Sequence, residues 1–161
     1  TQIAEGEGEI QVRGPQVTLG YWSRPAETRA TVLSGGWLRT GDIGRFDADG
    51  YLKIVDRLKD LIKFRGYSVA PSEVEAVLLT HPSVKEATVV GIPDSSDGEV
   101  PVAYLVLKEG VPAEVADMPG FIEPHLASYK HPKRYHVVHE IPKNHVGKPL
   151  KRVLREMPEP T

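Results

Sequence analysis

Asp56-Arg-Leu-Lys-Asp-Leu-Ile-Lys-Phe-Arg-Gly66 divides this 161-residue chain in two. The charged run from Asp56 to Asp60 interrupts the apolar alternation on its amino-terminal side, and a hairpin-like pair of short segments turns around Gly66 on the other. We place a domain boundary there. Upstream, Glu9-Ile-Gln-Val-Arg13 alternates as a half-buried strand does, and Gly14-Pro15 stops it. Ile43-Gly-Arg-Phe46 and Tyr51-Leu-Lys-Ile-Val55 flank Asp47-Ala-Asp-Gly50, whose Asp-Gly pair offers the positive-φ positions of a hairpin turn. The first third therefore reads as mostly β.

Downstream the period changes. Pro71 suits a first helical turn, and Val74, Val77 and Leu78 recur at the spacing of a buried helical face, so a helix is expected from Pro71 to near His81-Pro82. Glu86 to Ile92 and Pro101 to Leu107 read as buried strands separated by Pro93-Asp-Ser-Ser-Asp-Gly98, a run of turn formers. After a loop near Gly110, a helix is expected over Phe121 to Leu126, compromised by Pro124. A strand follows over Tyr135 to Val138, then a terminal helix over Leu150 to Glu156 and a proline-bearing tail after Met157. Mixed strands and helices of this kind indicate an α+β fold.

Composition narrows the function classes. With 40% hydrophobic residues, a formal charge of −2 and a pI near 6.3, the chain has no global attraction for nucleic acid. It contains no cysteine, which excludes disulfides and thiolate metal sites. Its longest apolar runs fall far short of the roughly 20 residues of a membrane-spanning helix, and no signal segment opens it. A cytoplasmic location is expected. Thr1 and the acidic run Glu5-Gly-Glu-Gly-Glu9, leading straight into a strand, read as a cut edge.

Four segments say more because they occur together and in order. They are Gly8-Glu-Ile-Gln-Val-Arg-Gly14 with Gly20-Tyr21, Gly36-Trp-Leu-Arg-Thr-Gly-Asp42, Asp56 to Gly66 with Ser72-Glu-Val-Glu75, and Ile141-Pro-Lys-Asn-His-Val-Gly-Lys148. Together they resemble the adenylate-forming superfamily, in the wording of its acyl-CoA synthetase, 4-coumarate-CoA ligase and firefly luciferase branch. The resemblance implies that residues 1–58 are the last β subdomain of a large amino-terminal domain and 59–161 a small mobile carboxyl-terminal domain. It implies an acyl-CoA synthetase that joins a carboxylic acid to AMP from ATP, with magnesium, and then transfers the acyl group to CoA. No Ser/Thr/Gly-rich phosphate loop occurs in the chain, so the large domain becomes an obligatory partner and the isolated chain is expected to be inactive. The magnesium ligands are expected outside it too.

The resemblance assigns roles residue by residue. Lys148 matches the catalytic lysine of adenylation, whose charge offsets that developing as pyrophosphate leaves; the plain alternative is a solvated lysine beside Lys151 and Arg152. Asp42 matches the acceptor of the ribose hydroxyls, and Arg57 a second nucleotide contact, unless it pairs with Asp56 or Asp60. Lys59 falls on the hinge about which the small domain rotates. Gly66 would enter the site for the CoA step, where a missing β-carbon allows close approach, with Lys63 and Arg65 beside it; a hairpin glycine on a charged strand edge is the alternative. Two residues depart from the family's wording: Ser68, where plant ligases tend to carry Gln, and Asn144, where Ser or Thr is usual.

Other readings concern binding modules. The chain alone could bind nucleotide or CoA without catalysis, or belong to a luciferase-like or carrier-loading adenylating enzyme. His131, His136 and His139, with Lys130, Lys133 and Arg134, read as a solvated basic rim instead of a metal site, because strand positions 136 and 139 face opposite ways. Tyr21, Trp22 and Trp37 read as packing aromatics.

Overall fold

The computed structural model describes residues 6–111 and 117–157. Thr1 to Glu5 and the tail beyond Met157, parts of two of the readings above, lie outside the described residues. The chain forms two compact units, one through Lys59 and one from Asp60 onward.

The first unit is a three-stranded antiparallel sheet in the order β1 (Gly8–Val12), β2 (Leu38–Phe46), β3 (Leu52–Arg57), as its alternating segments require. The β2–β3 turn differs in detail from the expectation. Only Gly50 takes a positive φ, 83°, and the Asp47 carbonyl accepts from the Gly50 N–H at 3.0 Å, the pattern of a three-residue turn closed by a glycine bulge. The Asp47 carboxylate also accepts from the N–H groups of Asp49 and Tyr51, at 3.1 and 2.9 Å. The bond from Tyr51 is the main influence that holds the Asp47 pKa below the usual carboxylate value.

Between β1 and β2 lies a short helix, α1 (Pro25–Thr31), that hydrophobic periodicity does not announce. Its signals are local: Pro25 in the first turn, with Glu27 there and Arg29 in the last to complement the helix dipole. None of its residues is buried, so it has no apolar face to read. The packing role expected of the aromatics before it is corrected as well. Trp22 is 95% exposed and Tyr21 half exposed, because they stand in the loop before this peripheral helix; Trp37 lies under the Arg13 guanidinium, 4.8 Å from its ring centre.

The second unit holds the main core. Its sheet has the order β5 (Tyr67–Val69), β4 (Ile62–Phe64), β7 (Gly98–Leu107), β6 (Val84–Asp94), and β8 (Arg134–Val137) joins β7 in parallel. β6 and β7 are longer than the turn formers suggested: Pro93 pairs with Glu99 and Asp94 with Gly98, leaving Ser95 to Asp97 as the turn. Proline is tolerated in β6 because it is an edge strand and the missing N–H costs no ladder bond. The helix α2 (Pro71–Leu78) buries Val74 and Leu78 completely and packs on β6.

The next helix begins and ends earlier than expected. It is α3 (Met118–Ile122), started by Asp117, whose carboxylate accepts the Gly120 N–H at 3.0 Å, and it stops before Pro124; a proline ring there clashes with the preceding turn. The terminal helix is α4 (Lys151–Glu156), tied to the sheet where the buried Tyr104 hydroxyl donates to the Leu154 carbonyl at 2.8 Å. Strand β8 ends at Val137, so His139 lies beyond it and the opposite-face argument for the histidines fails there. His136 packs against the Tyr104 ring, 5.2 Å between centres, His131 hydrogen-bonds the Leu126 carbonyl at 2.8 Å, and Lys130 pairs with Glu73 at 2.6 Å. The expected basic rim is thus largely tied into the fold.

Candidate functional site

The residues singled out from the sequence fall in three places, two in the second unit and one in the first. In the first unit, Asp42 and Arg57 are register partners on β2 and β3, and the Arg57 Nε lies 3.2 Å from the Asp42 Oδ1. The ion pair of Arg57 is therefore with Asp42, across the sheet; Asp56 binds the Arg57 backbone N–H instead, at 2.7 Å. The Asp42 backbone is itself anchored. Its N–H donates to the Thr40 hydroxyl at 3.1 Å, and that hydroxyl donates to the Ile10 carbonyl at 2.8 Å. Thr40, Gly41, Arg57, Leu58 and Lys59 line an open pocket of about 420 Å³. Lys59 itself lies in a 3₁₀ turn, Leu58 to Asp60, at the edge of the first unit.

In the second unit, Arg65 and Gly66 are the two residues between β4 and β5, with φ of 48° and 82°. Two positive values define the turn whose twist suits a two-residue hairpin. Glycine takes such a φ freely, but arginine at φ 48° costs about 1 kcal/mol or more, and the surroundings supply the compensation. The Arg65 N–H donates to the Asp97 carbonyl at 3.0 Å and its Nε to the Asp97 Oδ1 at 2.7 Å. Asp97 belongs to the turn between β6 and β7, where the Asp94 carboxylate accepts from the N–H groups of Ser96 and Asp97 and is held below its ordinary pKa by them. Lys63 bonds the Ser68 hydroxyl across the hairpin at 2.6 Å. A β-carbon on Gly66 would meet no atom within 4 Å.

Lys148 ends a small loop that follows Ile141. The base of the loop is a bridge between Lys143 and Pro149, the Leu150 N–H donates to the Pro142 carbonyl at 2.8 Å, and Lys143 pairs with Glu86 on β6 at 2.6 Å. Lys148 is exposed, and among the described residues its ammonium has no ion-pair partner. Its neighbour Lys151 is by contrast committed, 3.2 Å from Glu75.

Glu73 and Glu75 were quoted above as part of a motif without a role, and the structure supplies one. Glu75 accepts the Val89 N–H, on the edge strand β6, at 2.8 Å as well as binding Lys151, and Glu73 binds Lys130. Their partners lie 14 to 76 positions away in the chain, so no local spacing announces them. The link between Arg65 and Asp97 is equally long-range, although the Asp94 to Asp97 turn formers mark its position.

No group of three or more His, Cys, Asp or Glu residues among the described ones could hold a metal ion. No helix among them is long and apolar enough to cross a membrane.

Against known proteins, residues 73–148 match the family described as AMP-binding enzyme C-terminal domain. The chain is 48% identical to a 4-coumarate–CoA ligase-like protein of Oryza sativa subsp. japonica, over 95% of this chain and 28% of that protein. It is 48% identical to a long-chain-fatty-acid–CoA ligase of Bacillus subtilis, over 92% of this chain and 26% of that one. Among solved structures, ATP-bound MatB from Rhodopseudomonas palustris superposes with a TM-score of 0.88 at 36% identity, over 96% of this chain and 31% of that chain. The chain thus spans less than a third of the length of each of these proteins.

Proposed function

We propose, because the chain belongs to the adenylate-forming superfamily of acyl-CoA synthetases, 4-coumarate-CoA ligases and luciferases, that it serves an ATP-dependent acid–thiol ligase. In the first half-reaction a carboxylate attacks the α-phosphorus of ATP, forming acyl-adenylate and releasing pyrophosphate. In the second, the CoA thiol attacks the acyl carbonyl and AMP leaves. Residues 1–58 act as the last β subdomain of a large domain, and residues 59–161 as the small domain that alternates between the two half-reactions.

The observation that carries this reading is the state of Lys148: an exposed ammonium with no ion-pair partner among the described residues, on a loop pinned at its base. Most cations nearby are spent on carboxylates, Lys143 on Glu86 and Lys151 on Glu75. A free cation on a firm support can be brought to the departing pyrophosphate without first breaking an ion pair. In the first unit, the Asp42 carboxylate would accept from the ribose hydroxyls while Arg57, already paired with it, would make the second nucleotide contact. The ATP-bound state of MatB is consistent with a nucleotide role for the same fold.

Magnesium would arrive with the ATP phosphates, its protein ligands contributed outside the described residues, and it would neutralise phosphate charge. For the second step, Lys59 is the hinge and the Arg65-Gly66 turn enters the site, with Lys63 stiffening the hairpin. The acid is a small-molecule carboxylate, taken by the large domain. A part in fatty-acid metabolism fits the acid named for the B. subtilis relative. The test is ATP–pyrophosphate exchange by the intact polypeptide: Lys148→Ala abolishes it under this reading, and undiminished exchange overturns it. If the 161-residue chain alone binds ATP or CoA yet no intact form catalyses exchange, the module reading takes its place.

A further inference from the structure

We propose that Asn144 is the positioning residue for Lys148; the inference rests on the reading of Lys148 given above. Asn144 lies at the start of the loop, and its side-chain Oδ1 accepts two backbone N–H groups, from Val146 at 3.1 Å and from Lys148 itself at 2.9 Å. Its own N–H donates to the Lys148 carbonyl at 2.9 Å, and its carbonyl accepts from the Gly147 N–H at 2.9 Å. Four hydrogen bonds therefore centre on one residue, and three of them end on Gly147 or Lys148.

The division of labour follows from what each bond resists. The two backbone bonds close the loop, and any residue at 144 with the same backbone keeps them. Only the side chain fixes the direction in which the Lys148 N–H points, and with it the Cα–Cβ vector that launches the ammonium. Gly147, at φ 82°, precedes that vector and resists rotation little on its own. Asn suits the task because its amide oxygen reaches one bond further than a Ser or Thr hydroxyl oxygen and accepts two donors at once. The loop is exposed, so water can take over the two N–H groups when the oxygen is removed, and the fold loses little. What is lost is preorganisation, and misplacing a reacting or stabilising group by about 1 Å is enough to slow a reaction roughly 100-fold.

The role belongs to one half-reaction. Lys148 serves adenylation, so a residue that aims Lys148 serves adenylation alone, whereas a residue that merely supports the second unit affects both steps.

The experiment uses the intact polypeptide with Asn144→Ala, Asn144→Thr and Lys148→Ala. Each variant is assayed for ATP–pyrophosphate exchange and for thioester formation from supplied acyl-adenylate. The proposal expects Asn144→Ala to lower kcat for exchange by roughly 10- to 100-fold, with KM for ATP changed less and thioester formation unchanged. Asn144→Thr, whose hydroxyl oxygen is an acceptor of shorter reach, should recover only part of the loss. Amide hydrogen exchange at Val146 and Lys148 should accelerate in Asn144→Ala and not at Val89 in the core. Equal losses in the two half-reactions, or full exchange activity in Asn144→Ala, overturn the positioning role. If Lys148→Ala itself retains exchange activity, the failure lies with the reading of Lys148 and not with Asn144.

Discussion

Asp42 and Arg57 face each other across two strands, and their separate contributions can be told apart by what each substitution leaves behind. The pair is half exposed, so it adds little to stability. Asp42→Asn keeps Oδ1 and the shape but removes the charge that, in the proposed role, would strengthen hydrogen bonds from ribose hydroxyls. We expect it to weaken ATP binding by about 1.5–3 kcal/mol, read as a raised KM for ATP, with the unfolding midpoint nearly unchanged. A matching drop in stability would assign Asp42 to the sheet and not to the nucleotide. Glu75 makes the opposite prediction. Its carboxylate satisfies the N–H of Val89, which is fully buried, so Glu75→Ala should cost about 1–3 kcal/mol in urea unfolding. Glu75→Gln, which can still accept that bond, should cost less; equal losses would point to the Lys151 pair as the important contact. Neither long-range bond was legible from residue spacing, whereas the family wording of the motifs around both residues was.

At the level of elements, legibility followed burial. The helix α2 was readable because Val74 and Leu78 face the core at helical spacing, and the two strand pairs because their apolar residues alternate or run together. The helix α1 was not, since none of its residues is buried, and the bounds of β6 and β7 were misjudged because turn formers such as Pro93 also fit an edge strand. The Arg65-Gly66 turn was half readable: glycine announced it, but nothing local announces an arginine at positive φ held by Asp97. Gly66→Ala should therefore destabilise the second unit by about 1–2 kcal/mol, the cost of a β-carbon at that φ, measured by urea unfolding. A neutral result would mean that the turn relaxes to another type.

The strand β8 supplies a pH prediction. Burial, with Arg134 adding to it, lowers the His136 pKa from its ordinary value. The unfolded chain then binds a proton that the folded one refuses, so stability falls as pH drops below about 6.5, the unpaired histidine value. Between pH 7.5 and 5.5 the unfolding midpoint should decrease, and His136→Gln should flatten that slope. An unchanged slope in the variant would move the effect to another group.

At the scale of the whole molecule, the chain passes from its first compact unit to its second between Lys59 and Asp60, within a charged stretch. A charged run cannot be buried cheaply, so it falls more readily between cores than within one. Membership of the superfamily was legible from four ordered motifs. The acid substrate was not, since none of the four motifs distinguishes one carboxylic acid from another.

In the proposed cycle, Lys148 and the hinge at Lys59 serve different half-reactions of one enzyme. The most direct test is to measure both half-reactions in the intact polypeptide for Lys148→Ala and Lys59→Pro. Lys148→Ala should lose adenylation but still form thioester from supplied acyl-adenylate, and Lys59→Pro, with its fixed φ, should do the reverse. Equal loss of both steps in both variants would contradict it.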